Sequence, residues 1–311
     1  MELENTNCCL CNNSTAKLFL TLPDHLFGVP GIYNLVKCTN CEHIYLNPRP
    51  TKKTVTLLYE KYYSTKEPET GIASKMRGNF LLRSIYHKLT GEFLAEIIAK
   101  ASGKVLDIGC GQGILLEDLK AKGCEVYGVE INSGQAEIAN KKKLNVVCGD
   151  IYQAHYPDEF FDCIVMNHTI EHMPNPESIL NDVRRILKPV GKVFINCPNV
   201  NSYSARIFKQ YWAGWHIPFH FNYFSIDSIK QLANICKFDI ISIRTATPGY
   251  RFLTSLDAYK KNDKAKLARL LSKALMLNKR IPRLILSIIL RIPDTLLPGK
   301  GECIYLEMKK A

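Results

Sequence analysis

The chain contains no run of 18 or more apolar residues, and this absence excludes a helix of the usual length for crossing a membrane. Its opening residues, MELEN, have neither the basic start nor the apolar core of a secretory signal. We therefore expect a cytoplasmic protein. A length of 311 residues suggests about two domains.

Acidic residues are scarce towards the carboxyl terminus. Residues 251–311 hold 14 lysines and arginines against 5 aspartates and glutamates, and so carry +9 of the formal net charge of +12. The first 250 residues are close to balanced. Because the positive charge is confined to one segment, the composition does not by itself indicate a nucleic-acid partner, and none is expected.

Disulfides are not expected in a reducing compartment, so the 12 cysteines need another explanation. Four of them form two C-x2-C pairs, Cys8 with Cys11 and Cys38 with Cys41. Two such pairs can place four thiolates around one Zn2+ in a closed tetrahedron, which is typical of a structural site. The spacing predicts a zinc ribbon over residues 1–50. The alternatives are four free thiols or a redox-active pair.

The remaining cysteines have no metal-ligand spacing. Cys9 is interpreted as a packing residue, because using it in place of Cys8 breaks the two-residue spacing. The other seven stand in or beside apolar segments, and we expect them to be small core residues. They are Cys110, Cys124, Cys148, Cys163, Cys197, Cys236 and Cys303.

An apolar strand runs directly into three alternating glycines at residues 105–113 (VLDIGCGQG), and an apolar-periodic helix follows. Glycine permits the sharp turn from strand to helix and leaves room for a ligand against the backbone. Two later strands end on acids, at Glu130 and Asp150. Together these features predict a site for a nucleoside-containing cofactor.

This stretch resembles the class I S-adenosylmethionine (SAM) methyltransferases. The resemblance covers about residues 102–248 and the final strand, and includes residues 162–167 (DCIVMN) as strand four and 187–192 (LKPVGK) before strand five. It implies a Rossmann-like, doubly wound α/β fold with a mostly parallel sheet. The final strand, Cys303–Met308, is then expected to insert antiparallel between strands five and six.

The pattern divides the chain into three parts: the ribbon at 1–50, a helical lead-in or lid at 51–101, and the methyltransferase domain at 102–311. Helices are expected from Thr51, over 80–100, and over 133–141, 175–187 and 225–237, and strands over 192–196 and 239–244. A basic amphipathic insertion at about 250–300 is expected to cap the cleft, form a dimer contact or lie on a membrane surface.

The resemblance implies roles for the residues around the glycine loop. Asp107 would orient the ammonium group of SAM, and Glu130 would accept both ribose hydroxyls. The full set of expected cofactor residues is Asp107, Gly109, Gly111, Gly113, Glu130, Asp150, Ile151 and Asn167. The alternatives are solvated acids at strand ends, or a nicotinamide-dependent dehydrogenase, against which the G-x-G-x-G spacing counts.

Methyl transfer to an alcohol or a carbon acid needs a base, and histidine is the usual choice near neutral pH. Histidines occur after strand four, in residues 167–172 (NHTIEH), and after strand five, in residues 212–220 (WAGWHIPFH). The second group resembles the Pro-x-His-x-x-x-Phe-Ser segment of a bacterial methyltransferase subfamily of polysaccharide, sugar and secondary-metabolite pathways. His220 is therefore the first candidate base, or a loop-fixing residue.

Glu171 and His172 match a frequent Glu-His pair in the same subfamily, and they are catalytic candidates or close the loop over the cofactor. Ser225 is expected to cap a helix. Tyr62 and Tyr63 could cover the cofactor from the leading helix or simply pack there. Four aromatic residues after strand five could wall a pocket, stack on a sugar or base, or fill the core: Trp212, Trp215, Phe219 and Tyr223.

The donor is easier to predict than the acceptor. A nucleobase amino group is disfavoured as the acceptor. Methyltransferases that act on such groups resemble one another in an Asn/Asp-Pro-Pro-aromatic loop after strand four, where residues 167–170 here read NHTI. A zinc ribbon on this fold resembles sugar C-methyltransferases and some ribosomal RNA enzymes. We favour a nucleotide-linked sugar, or a polysaccharide or glycolipid intermediate, methylated at carbon or oxygen. The alternatives are an RNA methyltransferase, a membrane-surface lipid or quinone O-methyltransferase, and a non-enzymatic adaptor.

Overall fold

A computed structural model describes residues 1–62, 93–261, 265–275, 277, 285, 286 and 288–311. The strands in these residues are β1 (Leu3–Glu4), β2 (Ala16–Leu22), β3 (Tyr33–Cys38), β4 (Ile44–Leu46), β5 (Arg49–Pro50), β6 (Lys104–Ile108), β7 (Glu125–Glu130), β8 (Asn145–Cys148), β9 (Phe161–Asn167), β10 (Leu187–Pro198), β11 (Asn222–Tyr223), β12 (Phe238–Ala246) and β13 (Cys303–Lys310).

Seven of these strands form the central sheet, in the order β12-β13-β10-β9-β6-β7-β8. The pairs from β10 to β8 are parallel, so the carboxyl ends of β6, β7, β9 and β10 meet at one edge. The last strand, β13, pairs antiparallel with both β10 and β12. This arrangement confirms the Rossmann-like fold and the expected position of the last strand.

The helices in the described residues are α1 (Lys52–Tyr62), α2 (Phe93–Lys100), α3 (Ile114–Ala121), α4 (Ser133–Lys141), α5 (Pro176–Ile186), α6 (Tyr203–Phe208), α7 (Ile226–Ile235), α8 (Gly249–Lys260), α9 (Lys266–Ala274) and α10 (Arg291–Leu296). Five of them, α2, α3, α4, α5 and α7, pack on the central sheet. Buried side chains of α5 and α7 belong to one core cluster, and those of α2, α3 and α4 to another. Residues 80–92 of the helix expected over 80–100 lie outside the described residues.

Helix ends follow local capping signals. The Ser225 hydroxyl accepts a hydrogen bond from the Ser228 N–H at 3.1 Å, which confirms Ser225 as the cap of α7. Asn175 caps α5 in the same way through the Ser178 N–H. Strand five begins at Leu187, earlier than the expected Lys192, because Leu187 already pairs with Phe161 of β9 before the register shifts.

The amino-terminal residues form a second sheet, in the order β11-β4-β3-β2. Its edge strand β11 comes from residues 222 and 223, far along the chain, where Tyr223 pairs with Ile44. The sheet expected over residues 1–50 is therefore completed by a strand from the second half of the chain. The boundaries of the three expected parts remain predictions.

The aromatic residues after strand five fill the core beside this second sheet. Trp212, Trp215, Phe219 and Tyr223 are each at most 5% exposed. The indole of Trp212 donates to Glu302 Oε1 at 2.7 Å. These four side chains therefore fill the core, and Tyr223 also lines a cavity between the amino-terminal sheet and α7. Tyr62 packs against the same cluster, whereas Tyr63 lies outside the described residues.

Six of the seven cysteines expected in the core are buried, but Cys148 is exposed. The expectation is wrong at Cys148 because this residue ends β8, the edge strand of the central sheet. Cys9 is partly buried and its thiol donates to Asn222 Oδ1 at 3.0 Å, so it joins the amino-terminal module to β11.

The segment from residue 249 to residue 300 contains α8, α9 and α10. Apolar side chains in its described part remain open to solvent, including Leu270 at 65% and Leu296 at 72% exposure. Lys266, Arg269 and Lys273 on α9 are exposed as well. Among the described residues, none of the helices has both the length and the apolar character needed to cross a bilayer.

Candidate functional site

The glycine loop leaves β6 at the edge where the parallel strands end. Gly109 has a φ of 77°, and a Cβ placed there would lie 2.6 Å from Thr169 Oγ1. The Thr169 hydroxyl in turn donates to the Ile108 carbonyl at 2.8 Å. A side chain is thus excluded by both backbone conformation and space, as the glycine spacing predicts. These contacts join the loop to the turn after β9.

Glu130, the last residue of β7, holds the same loop from the other side. Its Oε2 accepts the Gly111 N–H at 2.8 Å, and its Oε1 accepts the Asn132 N–H at 2.8 Å. Burial raises the pKa of Glu130, while these backbone N–H groups act in the opposite direction. An ionised carboxylate has further lone pairs on both oxygens, so its capacity to accept hydrogen bonds is not used up.

Asp107 lies one residue before the end of β6 and is 4% exposed. Its Oδ1 is buried and has no hydrogen-bond partner among the described residues. Burial, together with the nearby Glu130 carboxylate, raises the pKa of Asp107 to about 7. A buried acceptor without a partner is costly, and such a group is typical of a site that a ligand completes.

The other expected cofactor residues lie along the same edge. Asp150 is partly buried, with its Oδ1 accepting the Gln153 N–H at 3.1 Å and its Oδ2 3.3 Å from Lys52 Nζ. Ile151 is 3% exposed. Asn167, which ends β9, accepts a hydrogen bond from the Asn196 amide at 2.8 Å. The structure therefore brings the eight residues to one sheet edge.

Glu171 lies in the short turn Ile170–His172 and is 1% exposed. Its Oε1 is 3.2 Å from His168 Nδ1 and 3.8 Å from His220 Nε2. Burial raises the pKa of Glu171 to about 8. The Arg251 guanidinium donates to the same His168 Nδ1 at 2.7 Å. A carboxyl group and a guanidinium thus meet at one nitrogen of His168 within the site.

His172, His216 and His220 form a group beside Glu171, which we call the histidine cluster. The ring centres of His172 and His220 are 4.5 Å apart, and those of His216 and His220 are 4.7 Å apart. Burial is the first cause that lowers the pKa of each ring, to about 4 for His172 and well below the usual value for the other two. The three imidazoles are therefore neutral at neutral pH.

Comparison with known proteins identifies the family. The sequence profile of a family described as "Methyltransferase domain" matches residues 81–243, more than half of the chain. The chain belongs to this methyltransferase family. The sheet order and the glycine loop agree with this match, as the resemblance at residues 105–113 implied.

Two curated relatives of the methyltransferase share the name ubiquinone biosynthesis O-methyltransferase. The Pasteurella multocida protein is 32% identical over 133 residues, covering 36% of this chain and 55% of that protein. The Thiobacillus denitrificans protein is 33% identical over 112 residues, covering 33% of this chain and 48% of that protein. The methyltransferase thus spans about half the length of the curated relatives it matches.

Solved structures are similar at lower identity. A SAM-dependent methyltransferase from Thermotoga maritima is 19% identical with a TM-score of 0.49, covering 76% of this chain and 97% of that chain. One from Archaeoglobus fulgidus is 21% identical with a TM-score of 0.46, covering 73% of this chain and 98% of that chain.

Several residues of the site were not among the sequence candidates. Arg251 follows β12 and contacts His168, and Tyr59 of α1 has its hydroxyl 2.8 Å from His172 Nδ1. Phe27 stacks on His216 with ring centres 4.7 Å apart. Only Arg251 could have been found from the sequence, because it follows a strand of the central sheet and ligand sites lie at the carboxyl ends of such strands.

The four paired cysteines of the methyltransferase meet at one point. Cys8 Sγ is 3.4 Å from Cys41 Sγ, and Cys11 Sγ is 3.5 Å from Cys38 Sγ, with all four sulfurs within 4.8 Å of one another. Burial opposes ionisation of Cys38, but the backbone N–H groups of Cys41 and Asn40 outweigh it and lower the pKa to about 7. The spacing of the four cysteines and the convergence of their sulfurs fit a tetrahedral Zn2+ site.

Proposed function

We propose that this SAM-dependent methyltransferase transfers a methyl group to an oxygen or carbon atom of a glycan precursor, such as a nucleotide-linked sugar or a glycolipid intermediate. The observation that carries the proposal is the histidine cluster, which holds neutral imidazoles in the turn and loop beside the glycine loop. A sugar hydroxyl or an acidic C–H must lose a proton during methylation, and a neutral imidazole can receive it.

The residues at the sheet edge fit the donor. SAM supplies an electrophilic methyl group on a sulfonium. In our proposal, the unpartnered Oδ1 of Asp107 binds the ammonium group and the spare lone pairs of Glu130 bind the ribose hydroxyls. Asp150 and Ile151 receive the adenine. The backbone of Gly109, Gly111 and Gly113, with Asn167, completes the donor site.

The hydrogen bonds of His220 suit a proton acceptor. Its Nδ1 lies 2.9 Å from the Gly214 carbonyl, which can only accept, so Nδ1 carries the hydrogen and Nε2 keeps its lone pair. His220 is 1% exposed, whereas His172 and His216 are partly exposed. We therefore propose that the acceptor contacts the more exposed His172 or His216. His220 lies deeper and receives the proton of the acceptor through one of these two rings. Glu171 orients the cluster.

The four cysteines are proposed to hold a structural Zn2+. The ion would tie Cys8 and Cys11 to β3, whose last residue is Cys38. Because β4 pairs with β11, this module supports the loop that carries His216 and His220. A closed set of four thiolates leaves no open position, so the ion takes no part in methyl transfer.

The acceptor is proposed to be carried by a lipid. Leu270, Leu271 and Leu275 are 51–65% exposed, next to the exposed basic residues of α9. Apolar and basic side chains on one surface are typical of contact with an anionic membrane interface. Peripheral contact there would bring the site to a lipid-linked sugar.

A second candidate is O-methylation of a quinone precursor at the membrane surface. The names of the curated relatives favour it, together with the exposed apolar segment. The matched region is about a third of this chain. These names therefore support methylation of an ionisable hydroxyl group more than they support a quinone precursor as the acceptor. RNA is disfavoured, because residues 1–50 hold three basic and four acidic side chains.

The experiment supplies radiolabelled SAM to the enzyme with three separate acceptor pools: a nucleotide-sugar and glycolipid extract, a polyprenyl phenol extract, and total RNA. Label in the first pool is the expected result, label in the second supports the second candidate, and label confined to RNA refutes both. Glu130→Gln should abolish labelling, whereas Glu137→Gln on the exposed face of α4 should leave it unchanged.

A further inference from the structure

The histidine cluster has the geometry of a metal site. One ring nitrogen from each of His172, His216 and His220 lies within 4.8 Å of the other two. The nearest pair, His216 Nδ1 and His220 Nε2, is 3.2 Å apart. Two nitrogens bound to one transition-metal ion lie at most about 4.2 Å apart, since each metal–nitrogen bond is about 2.0–2.1 Å long, and the nearest pair already meets this limit.

Hydrogen bonding fixes which nitrogen of two rings keeps a lone pair. His172 Nδ1 is 3.0 Å from the Phe219 carbonyl, and His220 Nδ1 is 2.9 Å from the Gly214 carbonyl. A carbonyl only accepts, so both Nδ1 atoms carry the hydrogen and both Nε2 atoms are unprotonated. Histidines that bind metals almost always donate their second N–H to a carbonyl, a carboxylate or water in this way.

The third ring is held in place by its surroundings. His216 has a backbone φ of 37°, in the region that residues other than glycine seldom adopt. Phe27 stacks on its ring at an interplanar angle of 24°. A strained backbone that persists under such packing is common where a side chain must be aimed at a ligand. Packing and backbone together direct the His216 ring towards the other two.

A carboxylate lies beside the three rings. Glu171 Oε1 is 3.8 Å from His220 Nε2, and Glu171 Oε2 is buried with no hydrogen-bond partner among the described residues. A buried carboxyl group next to three imidazoles offers a further ligand and, once it has lost its proton, a negative charge for a dication. The other nearby charge is that of Arg251, which donates to His168 and also lowers the pKa of all three rings, so the charge of Glu171 is needed to offset it when a dication binds.

We infer that His172, His216 and His220 bind a divalent first-row transition-metal ion such as Zn2+, with Glu171 beside it. Three imidazole ligands favour Zn2+, Ni2+ or Cu2+ over Mg2+ and Ca2+, which prefer oxygen. The ion is separate from the one held by the four cysteines. Ion binding stands by itself. Any effect on the acceptor rests on the function proposed above, because an ion bound to His220 Nε2 competes with the proton for the same lone pair.

The test is the zinc content of the full chain after saturation with Zn2+ and removal of the unbound metal. Wild type should hold two equivalents, and Cys38→Ser and His216→Ala should each hold one. His155→Ala, at an exposed histidine outside the cluster, should retain two. One equivalent in wild type, or two in His216→Ala, overturns the metal site. Neither result depends on whether methyl transfer is detected.

Cobalt spectroscopy of the wild type gives a second reading that does not require any variant to fold. The first Co2+ equivalent, bound by cysteines, should show intense thiolate-to-cobalt charge transfer. The second should add weaker visible bands without further charge transfer, because its ligands are nitrogen and oxygen. Additional thiolate charge transfer with the second equivalent places it on other cysteines and overturns the inference.

Discussion

The Tyr59 hydroxyl lies 2.8 Å from Nδ1 of His172, although 113 positions separate the two residues. This contact brings α1, which follows the four-cysteine module, directly onto the histidine cluster. Part of the proposed acceptor site is therefore built from the amino-terminal quarter of the chain, outside the residues that match the methyltransferase family.

Tyr59→Phe should lower kcat by about 2- to 10-fold, the range expected for losing one neutral hydrogen bond of about 0.5–1.5 kcal/mol. The dissociation constant for SAM should not change, because Tyr59 contacts the acceptor side of the site. Steady-state kinetics and calorimetry measure the two quantities. Tyr127→Phe is the matched control, since its hydroxyl contacts Glu125 at the opposite edge of the sheet. Equal losses in both variants contradict a specific role for Tyr59.

SAM binding should tighten as the pH rises from about 6 to 7.5. Asp107 has a raised pKa of about 7, so it is mostly protonated at pH 6 and gains the charge that attracts an ammonium group as the pH passes 7. Asp107→Asn should remove this dependence and weaken binding by about 10- to 100-fold, as expected for a charged hydrogen bond of about 1.5–3 kcal/mol. Calorimetry at several pH values measures both effects.

The same substitution should stabilise the ligand-free protein at neutral pH. Because the folded-state pKa of Asp107 is raised above its usual 3.8, the folded state binds more protons than the unfolded state between pH 3.8 and about 7. Stability contributed by the neutral carboxyl is therefore lost as the pH rises through this window. Asp107→Asn stays neutral, so its Tm should exceed that of wild type at pH 7.5. A lower Tm together with unchanged SAM binding would contradict the proposal that Asp107 belongs to the donor site.

Gly109→Ala should weaken SAM binding by at least about 10-fold and also lower the free energy of unfolding. The new Cβ would meet Thr169 Oγ1 at 2.6 Å and displace the turn that joins the glycine loop to β9. Gly123→Ala is a close control, because its φ is 94° and nothing lies within 4 Å of the added Cβ. Both variants should lose about 1–2 kcal/mol through the left-handed backbone.

Both variants place alanine at a positive φ, and they differ in whether the added Cβ meets a neighbouring atom. The comparison therefore separates the effect of backbone strain from the effect of the contact with Thr169. Calorimetric titration with SAM should show a defect in Gly109→Ala and normal affinity in Gly123→Ala. Matching affinities in the two variants contradict the proposed donor site.

The full-length enzyme should sediment with phosphatidylglycerol vesicles at low salt and detach as salt increases, because basic residues near an anionic surface are screened by ions. Replacing Leu270 and Leu271 by glutamate should abolish the binding. Val190→Glu is the control, since Val190 is an apolar residue at 89% exposure outside this segment. The proposed membrane contact is contradicted if wild type does not bind the vesicles, or if the double variant still binds them.

Features with a local cause were predictable from the sequence. The positive φ of Gly109 follows from a strand that must turn at once into a helix, and the cap at Ser225 depends on a residue three positions away. The convergence of the four sulfurs of Cys8, Cys11, Cys38 and Cys41 was expected from the spacing of these cysteines. The antiparallel last strand was predictable through family resemblance, because a strand order cannot be read from periodicity.

Features built from distant parts of the chain were not predictable in the same way. The Arg251 contact with His168 spans 83 positions, and the pairing of β11 with β4 joins Asn222 to Tyr45, more than twice as far apart in the chain. The exposure of Cys148 depends on β8 being an edge strand. No local pattern contains this information, because burial and contact depend on how the elements pack.

The amino-acid order by itself determined the donor side of this enzyme, because the strand, the glycines and the acids that end strands lie within one stretch of about fifty residues. Only the tertiary structure decided the acceptor side. His172 lies after β9, His216 and His220 lie after β10, and Tyr59 lies on α1, so their convergence depends on packing two sheets against each other. The physical reason is that chain connectivity sets backbone conformation locally, whereas the distance between side chains far apart in sequence is set by the burial of the apolar surfaces between them.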